Sequence, residues 1–331
     1  MDFSEKKALY KKRAELKRQE EELKRQTEIL QDKHEAVETA QAALKAKNIA
    51  VESAEEAKRN QEIADAKREA VMQSLECASR IQKNLLPYKS VFEEAFGDHE
   101  VLWYPRDLVS GDIYWIKNFD EGTVLCVCDC TGHGTPGALL TMIVVSSFGM
   151  IVNEKTYRST AKIMSELDIY LSRTLHDHKK EATQGMTDIK EGCDLAVLYI
   201  PKKGDITYSS ANFPVFVCDG ESVERKKGQR IFMGEGELVS EADVQVVTLP
   251  KKAGSKYYIS SDGMFDQKGG PKGHPYGYKK FEELIKEYHD KPLQTICDIV
   301  WEDFVKYQGE HPRKDDFELV CFSPKSEECG Q

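Results

Sequence analysis

Asp129-Cys130-Thr131-Gly132-His133-Gly134-Thr135-Pro136 joins a strand to a helix through a carboxylate and a glycine-rich turn. Before it, Val124 to Cys128 is apolar and β-prone, so a strand runs straight into a carboxylate. After it come a glycine-rich turn and then a helix. Thr135 suits the N-cap and Pro136 the first helical position.

Three further acidic positions stand at strand boundaries. In Ser110-Gly111-Asp112-Ile113-Tyr114-Trp115, Gly111 lets the backbone turn tightly and Asp112 opens an apolar strand. Ser260-Ser261-Asp262-Gly263 closes the strand Tyr257–Ile259, and Lys314-Asp315-Asp316 precedes the strand Phe317–Phe322. Hard cations such as Mg²⁺ and Mn²⁺ take oxygen ligands and keep several waters. Four aspartates on separate strand ends can hold a pair of such ions, about 3.5–4 Å apart, if the fold brings the ends together. Singly, each motif has a plain structural reading. Asp-Gly at a strand end is usually a turn, and Asp112 could be a charge that blunts a sheet edge. The combination carries the metal reading.

Around these motifs, Thr123–Cys130, Cys193–Ile200, Ile206–Ser210, Tyr257–Ser261 and Phe317–Phe322 read as short strands. Helical patterns cover Pro136–Ile151, Ala161–His178, Tyr278–His289 and Leu293–Tyr307. Strands alternating irregularly with helical pairs predict an α+β domain with sheets covered by helices.

The chain up to about Leu85 has a different texture. It lacks proline and glycine and is rich in Glu, Lys, Arg, Gln and Ala, all good helix formers. A seven-residue spacing runs through Leu9, Leu16, Leu23, Leu30, Val37, Leu44 and Val51, and a second, alanine-rich one from Ala36 to Leu85. Sustained heptads with charged flanks predict a coiled coil, although a long solvated single helix is the competing reading. The alanine seam buries little area, so the pairing should be weak, and the change of seam near Val51 implies a slip of phase. Pro87 ends the helix.

The 331 residues carry a net charge of −10, which argues against a nucleic-acid binder. No apolar run is long enough to span a bilayer. Nine cysteines, with a charged rather than signal-like start, fit reduced thiols and a cytoplasmic location. No Gly-x-x-x-x-Gly-Lys-Ser/Thr loop supports a nucleotide-handling enzyme.

As an ordered set, Ser110-Gly111-Asp112-Ile113-Tyr114, Asp129-x-x-Gly132-His133-Gly134, Asp262-Gly263 and Asp315-Asp316-x-x-Leu319-Val320 resemble the PPM (protein phosphatase 2C-like) metal-dependent serine/threonine phosphatases. The bacterial branch typified by SpoIIE and RsbU is the most similar. Ile81–Pro87 looks like the segment that joins regulator to catalytic domain in that branch, and Ala211-Asn212-Phe213-Pro214 also matches. Pro105-Arg106-Asp107 and the run Asp266–Gly273 look like a SiaA-like subgroup. The resemblance covers roughly Ala78 to the C-terminus.

It implies a PPM-type α-β-β-α sandwich, two central sheets flanked by helices, after the coiled coil. The expected division is 1–77 coiled coil, 78–98 helical linker and 99–325 phosphatase domain. Carried onto this chain, Asp129 would bridge two Mn²⁺ or Mg²⁺ ions, with the Cys130 carbonyl reaching one of them. Asp112 would serve one metal, and Asp262 and Asp315 the other, with Asp315 chosen over Asp316 by motif alignment. Asp112, Asp129 and Asp262 would be the catalytic aspartates. A metal-bridged hydroxide would attack phosphoserine or phosphothreonine. The branch implies a bacterial regulatory protein as substrate, such as a STAS-type anti-sigma-factor antagonist, and self-association and regulation through the coiled coil. A silent pseudophosphatase scaffold is the alternative, against which the four intact acidic motifs weigh.

Other residues are open at this stage. Ser110 replaces a glycine of the family pattern, and Cys130 stands where only a carbonyl is needed. Arg106 is a candidate phosphate holder or an ordinary surface arginine. Cys126, Cys128 and Cys130 share one strand face and read as core rather than zinc ligands, because their spacing is wrong for a zinc knuckle. That leaves Asp129 facing the other way. His133 could be a general acid or shape the turn. Asp194 could be an extra ligand or a capping carboxylate. Lys268–Tyr278 could be a mobile flap or a surface loop.

Overall fold

The computed structural model describes residues 3–176 and 191–325. The chain divides into two compact units, Met1–Met72 and Gln73–Gln331. Helix α1 (Phe3–Leu85) is 83 residues long, as a stretch free of Gly and Pro allows. In the first unit its heptad residues, Leu9 through Val51, are all exposed in the single chain. No helix among the described residues is long and apolar enough to cross a membrane.

In the second unit, α1 ends at Leu85 and α2 (Lys89–Ala95) follows Pro87. Ten strands then build two antiparallel sheets. One sheet orders β1 (Phe96–Tyr104), β12 (Phe317–Pro324), β9 (Lys256–Ser260), β6 (Val215–Cys218) and β7 (Val223–Lys226). The other orders β2 (Asp112–Phe119), β3 (Gly122–Cys130), β4 (Cys193–Pro201), β5 (Ile206–Ala211) and β8 (Val247–Leu249).

Strand alternation explains the layering. Leu125 and Val127 of β3, Ala196 and Leu198 of β4, and Val320 and Phe322 of β12 form a core between the sheets. The alternate residues Cys126 and Cys128 face outward under α3 (Thr135–Ile151) and α4 (Thr160–His176). Leu319 and Cys321 face outward under α6 (Tyr278–Glu287) and α7 (Leu293–Gln308). The result is the expected α-β-β-α sandwich.

The predicted strands and helices of this unit are all present, with ends shifted by one or two residues; the end of the helix predicted to reach His178 lies outside the described residues. One local expectation is corrected. Helix α3 starts at Thr135, its N-cap is Gly134 with φ +68°, and no side chain caps it. A turn that needs positive φ favours glycine over threonine at that point. The segment Lys268–Tyr278 carries a small hairpin, β10 (Lys268–Gly269) with β11 (His274–Pro275). It is pinned by hydrogen bonds from Gly270 N to Tyr307 O and from Tyr276 N to Gln267 O.

Candidate metal centre

The apolar layer between the sheets becomes acidic at one end. Asp112 of β2 lies directly opposite Asp129 of β3, and Asp129 directly opposite Asp194 of β4. Residues opposite each other in an antiparallel sheet share a face. Strand parity puts these three on the inter-sheet face, in line with Val127 and Leu198. The opposing sheet supplies Ser261 at the end of β9 and Glu318 near the start of β12. Asp262 opens the short helix α5 (Asp262–Phe265), and Asp315 and Asp316 form the turn into β12.

Hydrogen bonds tie these loops together. Ser261 Oγ donates to Asp112 Oδ2 at 2.6 Å. Asp316 accepts from Arg106 N at 2.6 Å and Gly111 N at 2.7 Å. Cys130 N donates to Gly111 O at 2.9 Å, which joins the first two motifs. Gly263 has to be glycine, because a Cβ there would lie 1.8 Å from Asp316 O. Below the first motif, Gln82 Nε2 of α1 donates to Ser110 O at 2.7 Å and to Thr141 Oγ1 at 2.9 Å.

The electrostatics are those of crowded anions. Burial, then Asp112, Asp262, Asp315 and Asp194, holds the Asp129 carboxyl well above the usual carboxylate range. Burial and then Glu318 do the same to Asp112. Burial, Asp266 and Asp315 push Asp262 up, and burial raises Asp194 to about 6. Among the described residues, no three acidic, histidine or cysteine side chains already close into a finished ligand cage. Asp129, Asp194 and Asp262 border a small cavity of about 30 Å³, which Asn212, Ser260 and Tyr278 line together with Phe213, Pro214 and Phe265. Hard oxygen donors whose carboxyls stay raised despite Lys314 beside Asp262 and Arg313 near Asp112 fit divalent cations that keep part of their water.

Asp112, Asp129, Asp262 and Asp315 lie near one another from four separate segments, and Asp194 joins them. Cys130 brings its backbone to this end while its thiol faces the helices with Cys128, 3.8 Å away, and with Cys193, its register partner on β4. His133 Nδ1 lies 3.2 Å from Asp107 Oδ2, which belongs to the loop between β1 and β2. The Arg106 side chain donates to Lys314 O at 3.0 Å, packing against the acidic loop. Sequence reasoning missed Glu318, Ser261 and Gln82. For Glu318 the available signal was parity, since it shares its strand face with Val320 and Phe322.

Fold and centre together define a PP2C-type serine/threonine protein phosphatase. The chain belongs to the Stage II sporulation protein E (SpoIIE) family, whose profile matches residues 120–325. Among solved structures it is similar to the SiaA-PP2C domain of Pseudomonas aeruginosa, at 29% identity and a TM-score of 0.69. That match covers 78% of this chain and 99% of the other. The fold also matches the phosphatase domain and regulatory fragment of SpoIIE from Bacillus subtilis, at 18% identity and TM-score 0.52, covering 69% of this chain and 61% of that one. A third match is to the RsbU and RsbW domains of a Mycobacterium tuberculosis protein, at 16% identity and TM-score 0.53, covering 70% and 62%. No curated protein sequence matches.

Proposed function

We propose that the acidic end of the sandwich binds two Mn²⁺ or Mg²⁺ ions and hydrolyses phosphoserine or phosphothreonine on a bacterial regulatory protein. The observation that carries this reading is the in-register row Asp112, Asp129 and Asp194, faced by Asp262 and Asp315 from other segments. Asp129 sits in the middle of the row and would bridge the two ions. Asp112 would hold one ion; Asp262 and Asp315 would hold the other. The two backbone bonds accepted by Asp316 favour Asp315 as the ligand. When bound, the ions would make water more acidic and draw charge from the phosphoryl oxygens.

The chain's own residues position the parts. Ser261 orients Asp112, Asp316 holds Arg106 and Gly111 in place, and Asn212 donates to Asp194 Oδ1 at 2.7 Å. A second cavity of about 240 Å³ shares Asn212, Pro214 and Tyr278 with the centre and is lined by Arg225, Lys227 and Arg230. Its positive charge suits an anionic phosphopeptide beside an otherwise anionic site. A STAS-type antagonist, the substrate class the branch resemblance implies, is the partner we assign.

Self-association through α1 is the matching proposal for the first unit. Its exposed heptad residues form a stripe that a second copy would cover. The same helix carries Gln82, so a change of register in a weak coiled coil has a route to the first acidic motif. Proline in the stretch 64–78 should change turnover without altering the metal ligands, and unchanged turnover would sink the regulatory part. A cytoplasmic location goes with this reading.

The primary test is hydrolysis of an aryl phosphate with and without Mn²⁺, beside Asp129→Ala. Turnover that needs the metal and vanishes in the variant supports the centre. Absence of turnover with any divalent cation moves the weight to a non-catalytic scaffold.

A further inference from the structure

Glu318 has an unusual position for a carboxylate. It is 0% exposed, and neither of its side-chain oxygens has a hydrogen-bond partner. Its backbone is fully engaged: Ser261 N and Ser260 Oγ donate to Glu318 O, and Glu318 N donates to Ser261 Oγ. The strand is therefore fixed and the side chain cannot leave with it. Parity sends that side chain into the inter-sheet layer at the acidic end, beyond Val320 and Phe322. Its charged neighbours there are Asp129 and Asp316, and it acts in turn on Asp112. The half-buried cation at this end, Arg313, acts on Asp112 and Asp316 and donates to Pro105 O, and makes no hydrogen bond to Glu318.

A buried carboxylate without donors is costly. Protonation would remove the charge but leave an O–H and a carbonyl still without partners. A cation removes the charge and occupies both oxygens. We infer that Glu318 is a further metal-ligating carboxylate, reaching the ion on the Asp112 side from within the sandwich. The inference rests on the metal-centre reading above. The same Ser261 hydroxyl holds Asp112 and the Glu318 backbone, so the two carboxylates are presented as one unit.

The test is Mn²⁺ binding to metal-free protein, followed by calorimetry and electron paramagnetic resonance, with melting temperatures taken in both states. Glu318→Gln keeps the shape and removes the charge; Glu318→Ser is the second variant should glutamine impair folding. The expected result is Mn²⁺ affinity weakened by roughly tenfold or more at one site. The metal-free variant should melt above the wild type, because repulsion is relieved, and the Mn²⁺-loaded variant below it. Unchanged Mn²⁺ affinity overturns the inference. So does an equal rise in melting temperature with and without Mn²⁺, which would make Glu318 a buried acid with no part in metal binding. Failure of the wild-type chain to bind Mn²⁺ at all would instead overturn the metal centre itself, a separate outcome.

Discussion

Gln82 and Ser110 exchange two hydrogen bonds: Gln82 Nε2 donates to Ser110 O at 2.7 Å, and Ser110 N donates to Gln82 Oε1 at 2.9 Å. The glutamine is 2% exposed and lies in the last turns of the long helix, and its partner Ser110 stands two residues before Asp112. Gln82→Ala would strand a buried N–H and a buried carbonyl, at about 1–3 kcal/mol. Lower stability by that amount is expected, together with weaker Mn²⁺ binding. A melt and a metal titration check it; full metal affinity at reduced stability would show that Gln82 supports the fold and not the site.

Ser261→Ala should act on both site and fold. The hydroxyl orients Asp112 and accepts from Glu318 N, so its removal leaves two buried groups short of a partner, at about 1–3 kcal/mol. Groups that orient metal ligands typically carry 10–100-fold of metal affinity or activity, and a loss on that order is expected here. Ser261→Thr, which keeps the hydroxyl, should recover part of it. Equal activity of alanine and wild-type proteins would remove Ser261 from the site.

At Gly263 a single methyl group is enough. A Cβ would overlap Asp316 O at 1.8 Å and come within 3.2 Å of Asp315 Cβ. Gly263→Ala must push the acidic turn away from α5, at about 1–3 kcal/mol, the usual cost of overpacking. Activity should fall by more than stability alone explains, since the displaced turn carries Asp315. Circular dichroism melts beside turnover measurements separate the two effects.

The metal-free protein should lose stability as pH rises from about 4 to about 6. Asp194 titrates near 6 in the folded state, raised chiefly by burial, and Asp112, Asp129 and Asp262 shift the same way. Across that window the folded protein holds more protons than the unfolded chain, so deprotonation favours unfolding. Mn²⁺ should reverse the loss at pH 7. Asp194→Asn should flatten part of the slope. A metal-free melting temperature that climbs through this range would contradict the crowded-anion account.

Much of this site was legible because it obeys strand parity. Cys126, Cys128 and Cys130 on one face put Asp129 on the other, and Gly111 before Asp112, Gly132 after Asp129 and Gly263 after Asp262 marked the turns. What stayed hidden needed two sheets at once. Glu318 sits in a strand that reads as apolar, and only its apposition to Asp112 gives it meaning. Ser261 looks like an ordinary strand-end serine until Asp112 lies 2.6 Å away. The short strands β6, β7 and β8 carry too few residues for periodicity to declare them, and their pairing comes from tertiary context. Thr135 failed as a cap because local propensity yielded to the positive φ of Gly134.

Strand β3 carries opposite chemistries on its two faces, thiols toward the helices and Asp129 toward the facing sheet. Shifting its pairing by a single residue would bring Cys128 and Cys130 into the polar gap and bury the aspartate beneath α3 and α4. A carboxylate with no cation and no donor there would be among the most unfavourable arrangements available to the domain. The residue proposed to bridge the ions thus also proofreads the assembly of the sheet: a chain that closes with β3 out of step is unstable and has every reason to reopen.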